Sequence, residues 1–77
     1  MPQAGVEDGL VAIVTSFVVE HDMPPTINEV TAEWNATHSV ELSRGNVHYW
    51  LEHLVKIGRL KRRRATKRQF VPLSFAN

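Results

Sequence analysis

Two adjacent prolines, Pro24 and Pro25, interrupt the first half of this chain and decide how it is divided. A proline has no amide hydrogen to donate and its ring clashes with the preceding helical turn, so no helix continues through the pair. Residues 6–21 carry apolar side chains at helical spacing and predict a first helix. We expect extended backbone over residues 23–26, where one short strand would fit, and a second helix after it.

The first predicted helix has one apolar stripe. We expect its inward residues to be Leu10, Val14, Phe17 and Val18, flanked by Val11 and Ile13. Two acids, Glu7 and Asp8, lie near the predicted start of this helix. Negative charge is favoured there, because it faces the positive end of the helix dipole.

A capping box opens the second predicted helix, residues 26–36. Thr26 is followed three positions later by Glu29, and in such a pair each side chain accepts the amide hydrogen of the other residue. The inward residues at helical spacing are Ile27, Val30 and Trp34. We interpret Trp34 as a core residue rather than as a platform on which bases stack. Residues 35–42 are polar enough to predict a connection, and Val40 and Leu42 within it are candidates for packing into the core.

The third predicted helix, residues 43–57, has Ser43 as its N-cap and Gly58 at the position of a left-handed C-terminal cap. Its inward residues are Val47, Trp50, Leu51, Leu54 and Val55. Its opposite face carries Arg44, Asn46, His48, Tyr49 and His53, with Glu52 as the only acid. Arginine and asparagine side chains read guanine and adenine edges in a major groove. A solvated helix face would carry similar residues, and the helix alone leaves both interpretations open.

Residues 59–73 predict a two-stranded hairpin, since the helical period ends at Gly58 and alternation follows. With the turn at residues 65–67, Leu60 and Phe70 are expected to meet across the strand pair, and Pro72 fits a strand end. The segment is strongly basic, with Lys61, Arg62, Arg63, Arg64, Lys67 and Arg68. Basic residues on a strand edge also protect it from aggregation, which is the alternative explanation of this segment. Six basic residues without a neighbouring acid are more than such protection needs. We therefore favour phosphate binding.

Charge is divided unevenly along the chain. All nine Lys and Arg residues lie at or after Arg44, whereas seven of the eight acids precede it, so the first 43 residues carry −7 and the remainder +8. Such asymmetry predicts a surface that binds a polyanion, built by the second half of the chain.

Composition and motifs exclude several classes of protein. The chain has 77 residues and no cysteine, which predicts one small domain without disulfides or a zinc-thiolate site. No catalytic constellation or phosphate-binding glycine loop occurs, and the four histidines, His21, His38, His48 and His53, lack metal-ligand spacing. We therefore expect neither an enzyme nor a cofactor. Without a signal peptide or membrane span, a cytoplasmic location is expected, on the nucleoid when the protein is bound to DNA.

The predicted order of elements is three helices and then a hairpin, and it resembles a winged helix-turn-helix domain. The run Met23-Pro24-Pro25-Thr26, followed by Glu29 and Val30, is similar to the turn before the second helix in the LexA family of SOS repressors. The resemblance covers roughly residues 10–73. It implies an α+β, mainly helical fold over residues 1–77, with the third helix for recognition and residues 59–73 as a basic wing.

The resemblance also implies which residues meet the bases of DNA. We add Arg44 to this set, because arginine side chains read guanine edges in the major groove. The residues expected to contact bases are thus Ser43, Arg44, Gly45, Asn46, His48 and Tyr49. The residues expected to contact the DNA backbone are Thr26, His53, Lys61, Arg62, Arg63, Arg64, Lys67 and Arg68. Two departures from the family are a longer connection before the third helix and the end of the chain after the wing, so self-cleavage is not expected.

The sequence therefore predicts a sequence-specific double-stranded DNA-binding protein, a small transcriptional regulator or repressor acting by operator occupancy. A phage or another mobile element is a natural setting for such a regulator. Because one domain of this size buries little surface, a homodimer on a repeated site is expected. The alternative is a winged-helix adaptor for protein–protein interaction, in which the acidic first half and Phe75 would engage a partner. No small-molecule ligand or membrane is expected as a partner.

Overall fold

The computed structural model describes residues 2–62 and 69–73. The elements in chain order are α1 (Pro2–His21), α2 (Ile27–Thr37), α3 (Arg44–Lys56), β1 (Leu60–Arg62) and β2 (Phe70–Pro72). The two strands form one antiparallel sheet. The prediction of a mainly helical α+β chain with three helices and a two-stranded hairpin is thus confirmed at this level.

Helix α1 begins at Pro2, earlier than the predicted start at residue 6. Proline is well suited to the first turn of a helix, because its fixed backbone angle is helical and no amide hydrogen is needed there. Glu7 and Asp8 consequently lie beyond the first turn, which contains no acid, so the prediction that they face the helix dipole is wrong. The helix ends at His21, and Asp22 follows in the left-handed region with a φ of 55°.

The segment between α1 and α2 contains no strand, contrary to the strand considered for residues 23–26. Pro24 and Pro25 are instead buried, and the Gln69 side chain donates to the Pro24 carbonyl at 3.3 Å. Proline lacks the amide hydrogen that a strand partner would accept, and within the described ranges β1 and β2 pair with each other. The prolines therefore act here as helix breakers and packing groups.

The capping box of α2 is confirmed. The Thr26 hydroxyl accepts a hydrogen bond from the Glu29 amide at 3.1 Å, and the Glu29 carboxylate accepts one from the Thr26 amide at 2.8 Å. The inward face is confirmed as well, since Ile27, Val30 and Trp34 are buried. The helix runs one residue further than predicted, to Thr37.

The connection between α2 and α3 is tied to the end of α2 by side chains. Asn35 bonds the backbone of Leu42 twice, accepting from its amide at 2.9 Å and donating to its carbonyl at 3.1 Å. The Trp34 indole nitrogen donates to the Val40 carbonyl at 2.8 Å. Of the two apolar residues here, Leu42 packs against the core and Val40 is 68% exposed. These bonds fix where α3 begins.

Helix α3 has the predicted caps. The Ser43 hydroxyl accepts from the Asn46 amide at 3.1 Å, and Gly58 has a φ of 84°. The amides of Gly58 and Arg59 donate to the carbonyls of Val55 and Leu54, the two bonds of a Schellman motif. Left-handed backbone is readily adopted by glycine, so Gly58 turns the chain out of α3 toward β1.

The register of the sheet differs from the prediction. Leu60 pairs with Pro72, Lys61 with Val71 and Arg62 with Phe70, so Leu60 is not opposite Phe70. The difference is two residues, and side chains in a strand alternate with period two, so both residues remain on one face. Leu60 and Phe70 are accordingly both buried. The predicted turn at residues 65–67 lies outside the described residues.

One apolar core joins the helices and the sheet. β2 packs against α1, and β1 packs against α3. The central cluster comprises Leu10, Ile13, Val14, Ile27, Val30, Trp34, Val47, Leu51, Leu54, Leu60 and Phe70. Ile13 is therefore a core residue rather than a flanking one, while Phe17, Trp50 and Val55 are only partly buried. Within the part of the chain that the structure describes, no helix is long and apolar enough to cross a membrane.

Candidate nucleic-acid interface

The N-terminal half of α3 exposes one polar surface. All the residues expected to contact bases are exposed, namely Ser43, Arg44, Gly45, Asn46, His48 and Tyr49. Tyr49 is the most apolar of them and is 64% exposed. Val47 and Leu51 of the same helix are fully buried, so the core contacts fix the rotation of α3 and leave these side chains outward. The structure thus leaves the whole predicted set exposed at the N-terminal half of α3.

Ser43 and Asn46 are linked at the start of this face. Besides capping the helix, the Ser43 hydroxyl donates to the Asn46 side-chain oxygen at 2.8 Å. A carbonyl oxygen has two lone pairs, so the Asn46 amide still has a free acceptor position beside its N–H donors. Ser43, the N-cap of α3, therefore holds the Asn46 side chain in one orientation on the first turn of the helix.

Arg44 is held by a residue that sequence reasoning missed. Its Nε donates to the Asn28 side-chain oxygen on α2 at 2.6 Å. A guanidinium has five N–H donors, and this bond uses one of them. Asn28 lies inside the capping-box motif, but nothing in the sequence indicated that it would meet a residue 16 positions away. The contact fixes the direction of Arg44 relative to both helices.

Gly45 is not required by packing. A Cβ atom built on it would have only the Ser43 hydroxyl within 4 Å, at 3.9 Å. Packing within the chain therefore does not explain why this position in the first turn of α3 is a glycine.

The C-terminal half of α3 is tied to α1. His53 Nε2 lies 3.2 Å from a Glu7 carboxylate oxygen, and its ring stacks on Tyr49 with centroids 6.4 Å apart. His53 is thus partly buried against α1, although it was expected to contact the DNA backbone. Arg59 donates to Asp8 at 2.8 Å and lies 3.9 Å from Glu7. The two acids therefore hold α1 against the junction of α3 and β1.

Glu52 joins α3 to the first strand. One carboxylate oxygen is paired with the Arg62 guanidinium, and the other lies 3.2 Å from His48 Nε2. A cleft of about 470 Å³ lies beside this pair. Its lining residues are Tyr49, Glu52, His53, Val55, Lys56 and Arg62. In the sequence Glu52 stands out as the only acid of this face, but no spacing rule indicates its partner in β1.

The residues expected to contact the DNA backbone are spread over several elements. Thr26 is exposed at the cap of α2, Lys61 is partly buried in β1, and Arg62 is exposed beside Glu52. The predicted contacts Arg63, Arg64, Lys67 and Arg68 lie outside the described residues.

The described residues were compared with the requirements of a metal site, and the chain with known proteins. Within residues 2–62 and 69–73, no group of three His, Asp or Glu side chains is placed to hold a metal ion. Comparisons with protein-family models, curated proteins and solved structures gave no match. Function is therefore inferred from the chemistry of the exposed residues.

Proposed function

We propose that this chain is a sequence-specific double-stranded DNA-binding protein of the winged helix-turn-helix type, a transcriptional regulator that acts by occupying its operator. The observation that carries the proposal is the exposed N-terminal face of α3. Its polar side chains point away from the core, and Asn28 and Ser43 hold two of them, Arg44 and Asn46, in defined directions. Held side chains lose less entropy when they bind, which favours selective recognition.

The relation of α2 to α3 supports this proposal. In helix-turn-helix proteins the second helix lies in the major groove, with its N-terminal residues on base edges. Here α3 would be that helix and residues 38–43 the turn. Arginine pairs with guanine and asparagine with adenine, so Arg44 and Asn46 are the principal candidates for base recognition. The unforced Gly45 between them would let the helix backbone approach the groove.

The sheet and its basic segment would form the wing. Lys61 and Arg62 lie on β1, and the remaining bases of the segment follow before β2. Phosphate contacts of this kind provide affinity and set the register of a protein on DNA, but carry no direct base information. The Met23–Thr26 motif, which resembles LexA repressors, is consistent with the same assignment.

Two copies on a repeated site, as a homodimer in the cytoplasm or on the nucleoid, would provide the affinity that a single small domain lacks.

Selection of random duplexes by the purified protein tests this function. A DNA-reading protein should enrich a short consensus, and the enriched duplex should resist competition by random DNA in a gel-shift assay. Absence of any enriched sequence, with binding to all duplexes alike, would contradict sequence-specific recognition.

A second candidate function is that of a protein-interaction adaptor. It is favoured by two exposed apolar residues, Val19 near the C-terminal end of α1 and Met23 just after that helix, which are 76% and 56% exposed. The acidic residue Asp22 lies between them along the chain, which suits a partner with basic and apolar residues. An adaptor would retain its protein partner in the presence of excess duplex DNA, whereas binding through the α3 face would be lost.

A further inference from the structure

We propose that Glu52 is a specificity-determining residue that restrains Arg62 and so suppresses binding to random DNA. The inference rests on the proposed function and deepens it. Glu52 is the only acid after residue 43, lies on the proposed DNA side of α3, and contacts both His48 and Arg62.

The geometry makes Glu52 a bridge between recognition helix and wing. It follows His48 by one helical turn, which places both side chains on one face of α3. Its second contact, Arg62, is the last residue of β1. The Glu52 side chain is 35% exposed and the Arg62 side chain 43%, so both remain within reach of an incoming polyanion.

Exposed ion pairs of this kind contribute little to stability. A stability role therefore does not explain an acid in the middle of a basic surface. Its electrostatic consequence is larger, because the carboxylate offsets the charge of the Arg62 guanidinium and occupies part of its N–H donors. A phosphate that approaches Arg62 must either displace Glu52 or lie beside its negative charge.

This restraint acts most strongly on random DNA. Sequence-independent binding takes nearly all of its affinity from phosphate contacts, and it can adjust its register until every free cation has a phosphate. On a cognate site the base contacts of α3 fix the register, so an additional free cation gains less. Restraining Arg62 therefore raises the ratio of cognate to random affinity, which is a case of specificity achieved by penalising the wrong partner.

Glu52→Gln tests the inference, because it removes the charge and nearly preserves the shape. The matched control is Glu20→Gln, which changes the net charge equally at an exposed site on α1. Affinity for a random duplex and for the selected duplex is measured between 50 and 200 mM salt. We expect Glu52→Gln to bind random DNA about fivefold more tightly than Glu20→Gln, with a salt slope steeper by about 0.9, and to show a lower cognate-to-random ratio.

A double variant assigns the effect to Arg62. In Glu52→Gln/Arg62→Gln the released cation is gone, so random-duplex affinity should return to within about twofold of wild type, as expected for loss of one contact. A double variant that keeps the full gain would show that Glu52 acts on another group, and would overturn the inference. Thermal melts of all variants confirm that the differences are not caused by unfolding.

The remaining outcomes separate this inference from the proposed function. If wild type binds duplexes and Glu52→Gln matches Glu20→Gln, only the inference fails. Equal gains on cognate and random DNA would make Glu52 a general attenuator, and a loss confined to the cognate duplex would make it a base contact; both overturn the inference. If neither wild type nor any variant binds duplex DNA, the proposed function fails and the inference with it.

Discussion

Arg44, the first residue of α3, donates through Nε to the side-chain oxygen of Asn28 in the first turn of α2, across 2.6 Å. The bond spans the two helices proposed to form the DNA-reading unit. It uses the Nε position and leaves the outer edge of the guanidinium for a ligand. A bidentate contact with guanine requires a guanidinium plane that is held in one orientation. In this structure the neutral side chain of Asn28, on the preceding helix, holds the plane of Arg44.

Asn28→Ala should weaken recognition through Arg44. Without the Asn28 side-chain oxygen, Arg44 samples more rotamers. We therefore expect the preference for the cognate duplex over random DNA to fall about three- to tenfold, equivalent to roughly 0.7–1.4 kcal/mol. Gel shifts on both duplexes measure the effect. In an Arg44→Ala background the same change should do nothing, since the group that Asn28 orients is absent. An undiminished effect in that background would assign Asn28 a role of its own.

Asn46→Ala should remove base discrimination without loosening α3. The cap survives, because Ser43 accepts from the backbone amide of residue 46 rather than from its side chain. We expect about 1–3 kcal/mol less preference for the cognate duplex, and a much smaller change on random DNA. Glu41→Ala, at an exposed position before the helix, serves as the control. Equal losses of Asn46→Ala on both duplexes would indicate a phosphate contact.

The basic segment should control salt dependence. Each phosphate contact adds about 0.9 to the slope of log affinity against log salt. The sequence predicted that replacing Arg62, Arg63 and Arg64 together by Ala would flatten this slope by about 2–3 units. Since Arg62 is paired with Glu52, we now expect Arg63→Ala/Arg64→Ala alone to flatten it by about 1.8 units.

The order of preference among sequences should survive this change, because backbone contacts carry no base information. Arg59→Gln is the matched control, since Asp8 already holds that guanidinium and its loss should leave the slope unchanged. A slope unaltered by the double change would reduce the segment to a solvated edge and favour the adaptor function.

Two glycines of α1 should respond in opposite directions to alanine. A Cβ on Gly9 would lie 2.6 Å from the Trp34 ring, and that ring is fixed by its bond to Val40 and by stacking on His38 at 3.7 Å. Gly9→Ala should therefore destabilise the fold by about 1–3 kcal/mol. Gly5→Ala meets nothing within 4 Å and should stabilise it by up to about 1 kcal/mol. Urea unfolding measures both, and a neutral Gly9→Ala would show that Trp34 can move.

Much of the architecture followed from local rules. Pro24 and Pro25 ended the first helix, the Thr26–Glu29 box opened the second, and Ser43 and Gly58 bounded the third, as predicted. These signals act between residues within one turn of each other, so the sequence contains all that is needed to find them. The helical period likewise identified Val47, Leu51 and Leu54 as core residues. DNA binding itself remains a prediction from residue chemistry.

Only the tertiary structure decided which distant residues meet. Arg44 with Asn28, His53 with Glu7 and Arg62 with Glu52 join different elements, and no spacing rule brings such pairs together. Glu7 was assigned to the helix dipole and His53 to DNA on local grounds, and their contact appears only when α1 packs against α3. The exposed face of α3 was predictable because a helical period fixes which side is buried. The partners that hold it depend on the relative placement of packed helices and strands, which is set by the shape of the shared core.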